Sequence, residues 1–288
     1  MSNLPTTISV VNQKGGVGKT TLVALLSYGL YELGHKVLMI DMDPQAHLSS
    51  FFIKVSEMDR IPGSLHMAKG ERFELVKLLS GKGRCLHLMP SKLSYLLEAY
   101  SGAMPITDPF AVDKRLKSEP ALRKYDFIIF DTPPELFIPT KWALFASDYL
   151  VIPVNYEELS IMGARILIKD VLPDVFMYSK RDVKVLGIVL TNVVRRISMK
   201  SIQAFENRIK RFLSNAVARS LHPRFYEKMM FETVIYRYDK LRDLVYRPRR
   251  WETPIFRIVK REEELHKVVT KLASELLLRV KDFRGMGQ

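Results

Sequence analysis

An α/β fold, with a mostly parallel twisted sheet flanked by helices on both faces, is predicted by three observations. Short β-branched or apolar runs alternate with longer amphipathic segments along nearly the whole chain, the pattern of parallel strands joined by crossover helices. A glycine-rich, lysine-bearing loop follows the first such run and opens directly into a long apolar segment. Aspartates end two later runs, at the strand ends where an open parallel sheet gathers its ligands. The length, 288 residues with 47% hydrophobic content, suits one large α/β domain spanning residues 1–288.

Taken in order, strands are expected at residues 8–11, 36–40, 84–89, 127–130, 149–154 and 183–190, with a further short one at 233–235. Helical spacing of apolar residues predicts helices near 20–33, 45–52, 73–79, 93–100, 112–123, 139–145, 157–172, 201–213, 238–246 and 261–280. Gly34 suits a left-handed cap ending the first long helix. Glycine and proline at 62–63, 81–83 and 102–109 mark connections rather than domain boundaries. A basic portion at about 193–261 precedes the last expected helix, about 261–281, whose apolar stripe suits packing on the sheet.

The run Val10-Val11-Asn12-Gln13-Lys14-Gly15-Gly16-Val17-Gly18-Lys19-Thr20-Thr21 has the form of a phosphate-binding loop. Its glycines let successive N–H groups turn inward toward phosphate oxygens, and the helix that follows adds its partial positive charge. Lys19 can neutralise β- and γ-phosphates, and the Thr20 hydroxyl can hold Mg²⁺. Gln13 stands where such loops usually begin with glycine, and Lys14 is an additional lysine at the loop's start.

The second strand runs into Asp41-Met42-Asp43-Pro44-Gln45. Alternate residues of a strand point the same way, so both carboxylates lie on one side of its end. Beside a phosphate loop, one can accept from Mg²⁺-bound water and the other can orient an attacking water. The strand Phe127-Ile128-Ile129-Phe130 ends in Asp131-Thr132-Pro133-Pro134, whose carboxylate is placed to support the Mg²⁺ shell.

One cysteine, Cys85, excludes an internal disulfide and any paired-cysteine metal or cluster site. No signal peptide and no membrane-spanning run is found, so a soluble cytoplasmic protein is expected. Lys plus Arg number 45 against 31 Asp plus Glu, a net charge of +14. Such a surplus fits a polyanionic partner, and it also fits a solvated, thermophile-type surface.

Lys14 to Thr21, Asp-Met-Asp-Pro-Gln and Asp-Thr-Pro-Pro, in this order, resemble the ParA/MinD group of P-loop NTPases, the deviant Walker ATPases. Asp-Pro-Gln and Val151-Ile152-Pro153-Val154 favour the ParA partition branch. The similarity runs from about Thr7 to Pro254, through Leu88-Met89-Pro90-Ser91, Glu158-Leu159-Ser160 and Thr191-Asn192, and is looser in the C-terminal third.

The resemblance implies roles. Lys14 reaches across a homodimer to the partner's nucleotide. Gly15, Gly16, Val17, Gly18, Lys19, Thr20 and Thr21 bind ATP, with Thr20 on Mg²⁺ and Thr21 at the α-phosphate. Asp43 activates water, with Asp41 and Asp131 in the outer Mg²⁺ shell, and Asn192 bonds adenine. Tyr236 replaces the proline of a common Ile-Pro-Arg segment; it could stack on the base, or the loop could differ. Glu135 stands where the family usually has a small residue.

Cations crowd the late sequence: Arg195, Arg196, Lys200, Arg208, Lys210 and Arg211, then Arg219, Arg224, Arg237, Lys240, Arg242, Arg247, Arg249 and Arg250. In the helix expected at 201–213, Ile202, Phe205, Ile209, Phe212 and Leu213 make the core stripe. Lys210 lies opposite, with Arg208 and Arg211 flanking. Lys210 and Arg211 lie on the helix equivalent to the family's DNA-contacting one, and Lys240 at a position that is basic in the family. Arg208, Lys210, Arg211, Lys240 and Arg242 are therefore the expected surface for non-specific double-stranded DNA. Residues 213–230 look inserted relative to the family.

The resemblance further implies a slow ATPase stimulated by a ParB-like centromere-binding partner. No helix-turn-helix precedes the phosphate loop, so no sequence-specific reading is expected. The rival is a MinD-like membrane-cycling ATPase anchored by its last helix, disfavoured by Glu262, Glu263 and Glu264 at that helix's start. A metal-cluster relative would need more cysteines. A non-hydrolysing DNA-coating protein is disfavoured by Asp43.

Overall fold

The computed structural model describes residues 4–95, 108–214, 221, 225, 228–241 and 254–285. Seven strands form one sheet: β1 (Thr6–Val10), β2 (Lys36–Asp41), β3 (Val76–Gly81), β4 (Arg84–Met89), β5 (Phe127–Asp131), β6 (Tyr149–Val154) and β7 (Lys184–Leu190). Their order is β3-β4-β2-β5-β1-β6-β7, and every pairing is parallel except β3 with β4. The central strands are buried along their whole lengths, as strands covered on both faces must be. This is the expected α/β architecture.

The helices are α1 (Lys19–Glu32), three short ones, α2 (His47–Ser50), α3 (Val55–Met58) and α4 (Ser64–Ala68), then α5 (Ala111–Ser118) and α6 (Ile138–Phe145). After β6 come α7 (Glu158–Ile166) and α8 (Leu172–Tyr178), joined by a π-helical turn at Leu167–Val171. The C-terminal part contributes α9 (Met199–Ser214), α10 (Pro254–Arg261) and α11 (Glu263–Arg284).

Sequence and structure part in a few places. The helix expected at 73–79 is instead β3, an edge strand that leads into β4 through a tight turn with Gly83 at φ 77°. The helix expected at 157–172 continues to Tyr178. Its π turn adjoins Pro173, which lacks an N–H and crowds the carbonyl four residues back, so the spiral widens there. The strand expected at 233–235 is an irregular edge held by isolated bridges, Met230 to Ile188 of β7 and Tyr236 to Val193 just beyond it. The terminal helix expected at 261–280 is present as α11, and α10, which was not expected, precedes it and ends just before Glu262. Residues 239–241 are helical, whereas the rest of the helix expected at 238–246, most of that at 93–100 and most of the inserted segment lie outside the described residues.

α1 is apolar on all sides because it is covered on all sides. One face lies on the sheet, and the other receives α10 and α11. Gly29 makes the second contact possible: a Cβ there would stand 2.7 Å from the Val269 carbonyl oxygen and 2.8 Å from the Ala273 methyl. Gly29→Val should therefore destabilise the fold by about 1–3 kcal/mol through overpacking. The helix-propensity gain, under about 1 kcal/mol, acts in the opposite direction and is the smaller effect. Urea unfolding monitored by circular dichroism reads the difference.

Candidate functional site

The strand register brings the chemistry together. Val10, Asp131 and Asp41 are neighbours across β1, β5 and β2, so three strands end at one level. The phosphate loop leaves β1 there and enters α1. Around it opens a cleft of about 660 Å³, walled by the loop and α1 on one side and by Asp43, Gln45 and His47 on another.

The loop is held from outside. The Thr191 hydroxyl donates to the Val17 carbonyl at 2.6 Å, and the Thr132 hydroxyl donates to the Val10 carbonyl at 2.9 Å. Asn12 is fully buried; its Nδ2 donates to the carbonyls of Pro153 (2.7 Å) and Ser160 (3.1 Å), and its Oδ1 accepts from the Lys14 N–H. α7 comes this close because residue 163 is glycine: a Cβ would stand 2.3 Å from Asn12 Oδ1. Gly16 and Gly18 adopt φ values of 77° and 84°, which a side chain would resist.

Lys19 is buried, and its Nζ donates to the carbonyls of Asn12 (3.1 Å) and Lys14 (3.2 Å). Burial lowers its pKa, and the carboxylates of Asp131, Asp43 and Glu135 work against that shift. Gly15, Gly16, Gly18, Lys19, Thr20 and Thr21 line the cleft, and Asn192 does so from across it at φ 55°. Val17 faces the core and does not line it; its backbone carbonyl is the part in use. Lys14 is half-buried at the loop's rim, outside the cleft lining.

Tyr236 requires a correction. It is turned from the cleft toward the apolar cluster of β6, β7 and α9, with its hydroxyl 3.9 Å from the Met199 sulfur. Ile235, Arg237 and Tyr238 line the cleft in its place. Along the extended edge side chains alternate, so Ile235 and Arg237 face the cleft and Tyr236 faces away; Tyr238 follows where the edge gives way to the helical residues 239–241.

The aspartates divide their tasks. Asp41 is fully buried and accepts from the Asp43 N–H (3.0 Å), the Ser49 N–H (2.8 Å) and the Ser49 hydroxyl (2.7 Å). It therefore shapes the loop that carries Asp43 and does not line the cleft. Burial and the nearby Asp43 push its pKa up to about 7. Asp131 is also fully buried, and neither carboxylate oxygen has a hydrogen-bond partner. Burial raises its pKa well above the usual carboxylate range, as do Asp41 and Asp43, with the Thr20 hydroxyl and Lys19 easing the rise.

An orphaned carboxylate beneath Thr20 and Lys19 fits the outer shell of a hydrated Mg²⁺. Among the described residues no group of three or more His, Cys, Asp or Glu could hold a metal alone.

Both pKa shifts carry a pH signature. A carboxyl raised in the folded state stabilises the fold below its unfolded pKa, near 4, and that stability is lost as pH rises through the folded value. Asp131→Asn should accordingly stabilise the nucleotide-free protein at pH 8 by on the order of 2 kcal/mol, with the gain shrinking toward pH 4. Urea unfolding at both pH values measures it.

Comparison with known proteins agrees with this geometry. A family model described as AAA domain matches residues 5–184. Chromosome-partitioning ATPase Soj of Thermus thermophilus is 34% identical over 187 residues, 64% of this chain and 68% of that protein. The chain belongs to the ParA/Soj family of P-loop partition ATPases. In structure, this ParA-type chain is similar to pNOB8 ParA, with a TM-score of 0.75 at 23% identity over 96% of this chain and 99% of that one. It is likewise similar to pNOB8 ParA bound to nonspecific DNA, with a TM-score of 0.72. Cobyrinic acid a,c-diamide synthase of Mycobacterium smegmatis, solved with a bound ATP analog and magnesium, is 27% identical, with a TM-score of 0.58 over 71% of this chain and 82% of that one.

Sequence reasoning placed none of His47, Phe51, Arg237 or Tyr238 at the nucleotide, and all four line the ParA-type cleft. His47 stands one helical turn after Asp43, a spacing open to reading. Phe51 carried no signal beyond its apolar character.

Proposed function

We propose that this chain is a Mg²⁺-dependent ATPase of DNA partition. ATP closes a homodimer, the closed dimer binds double-stranded DNA without sequence preference, and hydrolysis releases it. The observation that carries this reading is the convergence of Lys19, Thr20 and Asp43 on one cleft of nucleotide size, with the Asp131 carboxylate buried beside Lys19 and Thr20. Lys19 exchanges its loop carbonyls for phosphate oxygens, and Asp43 orients the attacking water in line with the γ-phosphate. Bound Mg²⁺ would offset the charge of the β- and γ-phosphates. Lys14, at the rim, reaches the partner's nucleotide, and a ParB-like centromere-binding protein stimulates turnover.

The DNA surface is the outer side of α9 with its surroundings. Ile202, Phe205, Ile209 and Leu213 are buried, so Arg208, Lys210 and Arg211 face outward. Arg208 pairs with Glu158, Lys240 with Glu262, and Arg195 with Glu264 at 2.8 Å. Exposed pairs of this kind contribute about 0–1 kcal/mol, little enough for DNA phosphates to displace. Arg242 lies outside the described residues. The likeness to pNOB8 ParA, solved on nonspecific DNA, supports the same reading.

The membrane-cycling alternative has less support. Leu265, Val269, Leu272 and Leu276 of α11, the apolar stripe such an anchor would present to lipid, are buried in the core.

Gel-shift titration of duplex DNA with ATP, ADP or no nucleotide, at several salt concentrations, tests the proposal. Binding should require ATP and weaken steeply with salt. Lys210→Glu with Arg211→Glu should reduce DNA affinity at least tenfold and leave ATP binding intact. Equal DNA binding in all three nucleotide states would overturn the cycle.

A further inference from the structure

The loop after β2 is more closely organised than a connection needs to be. Asp43 is 5% exposed, with Oδ1 accepting from the Gln45 N–H at 2.8 Å and Oδ2 facing His47 Nδ1 at 3.8 Å. Between them the chain turns through Ala46, at φ 53° and ψ 34°, whose N–H donates to the Asp43 carbonyl at 2.8 Å. A residue with a Cβ in the left-handed region costs roughly 1–2 kcal/mol. That strain is what brings residue 47 back to residue 43. Asp41 fixes the far side of the turn through Ser49, so the position of His47 is set from both ends.

We propose that His47 is a positioning residue for Asp43, its imidazole holding the carboxylate oxygen that faces it so that the carboxylate presents one orientation to the water attacking the γ-phosphate. The inference rests on the proposed ATPase reading. Both residues line the nucleotide cleft, and the His47 side chain is half exposed, free to close the remaining gap. Catalytic contacts are commonly long before substrate binds. The charged groups acting on His47 are Asp43 in its own loop, Asp41 at the end of β2 and Lys19 at the start of α1. Asp43 dominates and raises the imidazole's pKa against the effect of burial, which favours the charged partner a carboxylate needs.

The test has two independent readings. Steady-state hydrolysis by the full chain should show kcat about tenfold lower in His47→Ala with KM for ATP unchanged, the order lost when an orienting partner is removed. His47→Asn, whose amide nitrogen sits near the place of Nδ1, should recover most of it. Independently of turnover, the His47 ring protons followed by NMR should titrate above the ordinary histidine value, and that elevation should disappear in Asp43→Asn. An unchanged kcat in His47→Ala, or the same His47 titration with and without the Asp43 carboxylate, overturns the inference. A wild-type protein that hydrolyses no ATP would instead refute the proposed function, and the NMR comparison would still decide the contact.

Discussion

Asp43→Ala should lower the ATP hydrolysis rate by about a hundredfold or more, while ATP binding and ATP-dependent DNA retention persist. Removing a positioned general base costs on the order of 10²–10⁴ in rate. The two other strand-end aspartates are not free to take its place. Asp41 is committed to the Asp43 N–H and to Ser49, and Asp131 is sealed beneath Lys19 with no accessible surface. The phosphate loop is braced independently of Asp43 by Thr191, Thr132 and Asn12, so the nucleotide site should survive the substitution. A phosphate-release assay beside a nucleotide-binding titration separates the two effects. A wild-type rate in Asp43→Ala would remove Asp43 from the chemistry.

The second large effect lies far from the cleft. Arg279 of α11 is 5% exposed, stacked 4.0 Å over the Phe231 ring. Its guanidinium donates to the carbonyls of Leu186 (2.8 Å), Lys228 and Met230 and to Glu275. Glu275 in turn accepts from the N–H groups of Glu232 and Thr233 and from the Thr233 hydroxyl. This pair closes the β7 edge, where Gly187 at φ 149° leaves room for the guanidinium. Arg279→Met would leave the partly buried Glu275 without its cation and strip the buried carbonyls of Leu186 and Met230, a loss of about 3 kcal/mol. Denaturant unfolding measures it, and a change under 1 kcal/mol would show that the arginine merely fills space. Because the 229–237 edge leads to Ile235 and Tyr238 in the cleft wall, weaker nucleotide binding should accompany the destabilisation.

The parallel core was legible because its strands are short β-branched runs bounded by glycines or aspartates, and burial on both faces leaves little else such runs can be. β3 was not legible. A bulge between Lys77 and Leu79 lets both Leu78 and Leu79 pack inward, which erases the two-residue period and leaves a spacing that reads as helix. The extension of α7 into α8 was hidden by Pro173, which usually ends a helix and here sits against a widened turn. The nucleotide loop and its aspartates were legible as local motifs, since phosphate chemistry constrains neighbouring residues directly. The far wall was not. Phe51, Ile235, Tyr238 and Leu241 meet there through tertiary packing, and one residue of parity separated Tyr236 from the cleft.

Sedimentation of the Asp43→Ala chain with saturating ATP and Mg²⁺, against the same chain with ADP, addresses the central claim most directly, because blocked turnover keeps the triphosphate in place. A dimer with ATP and a monomer with ADP is the predicted result. The same monomer under both conditions would contradict the account.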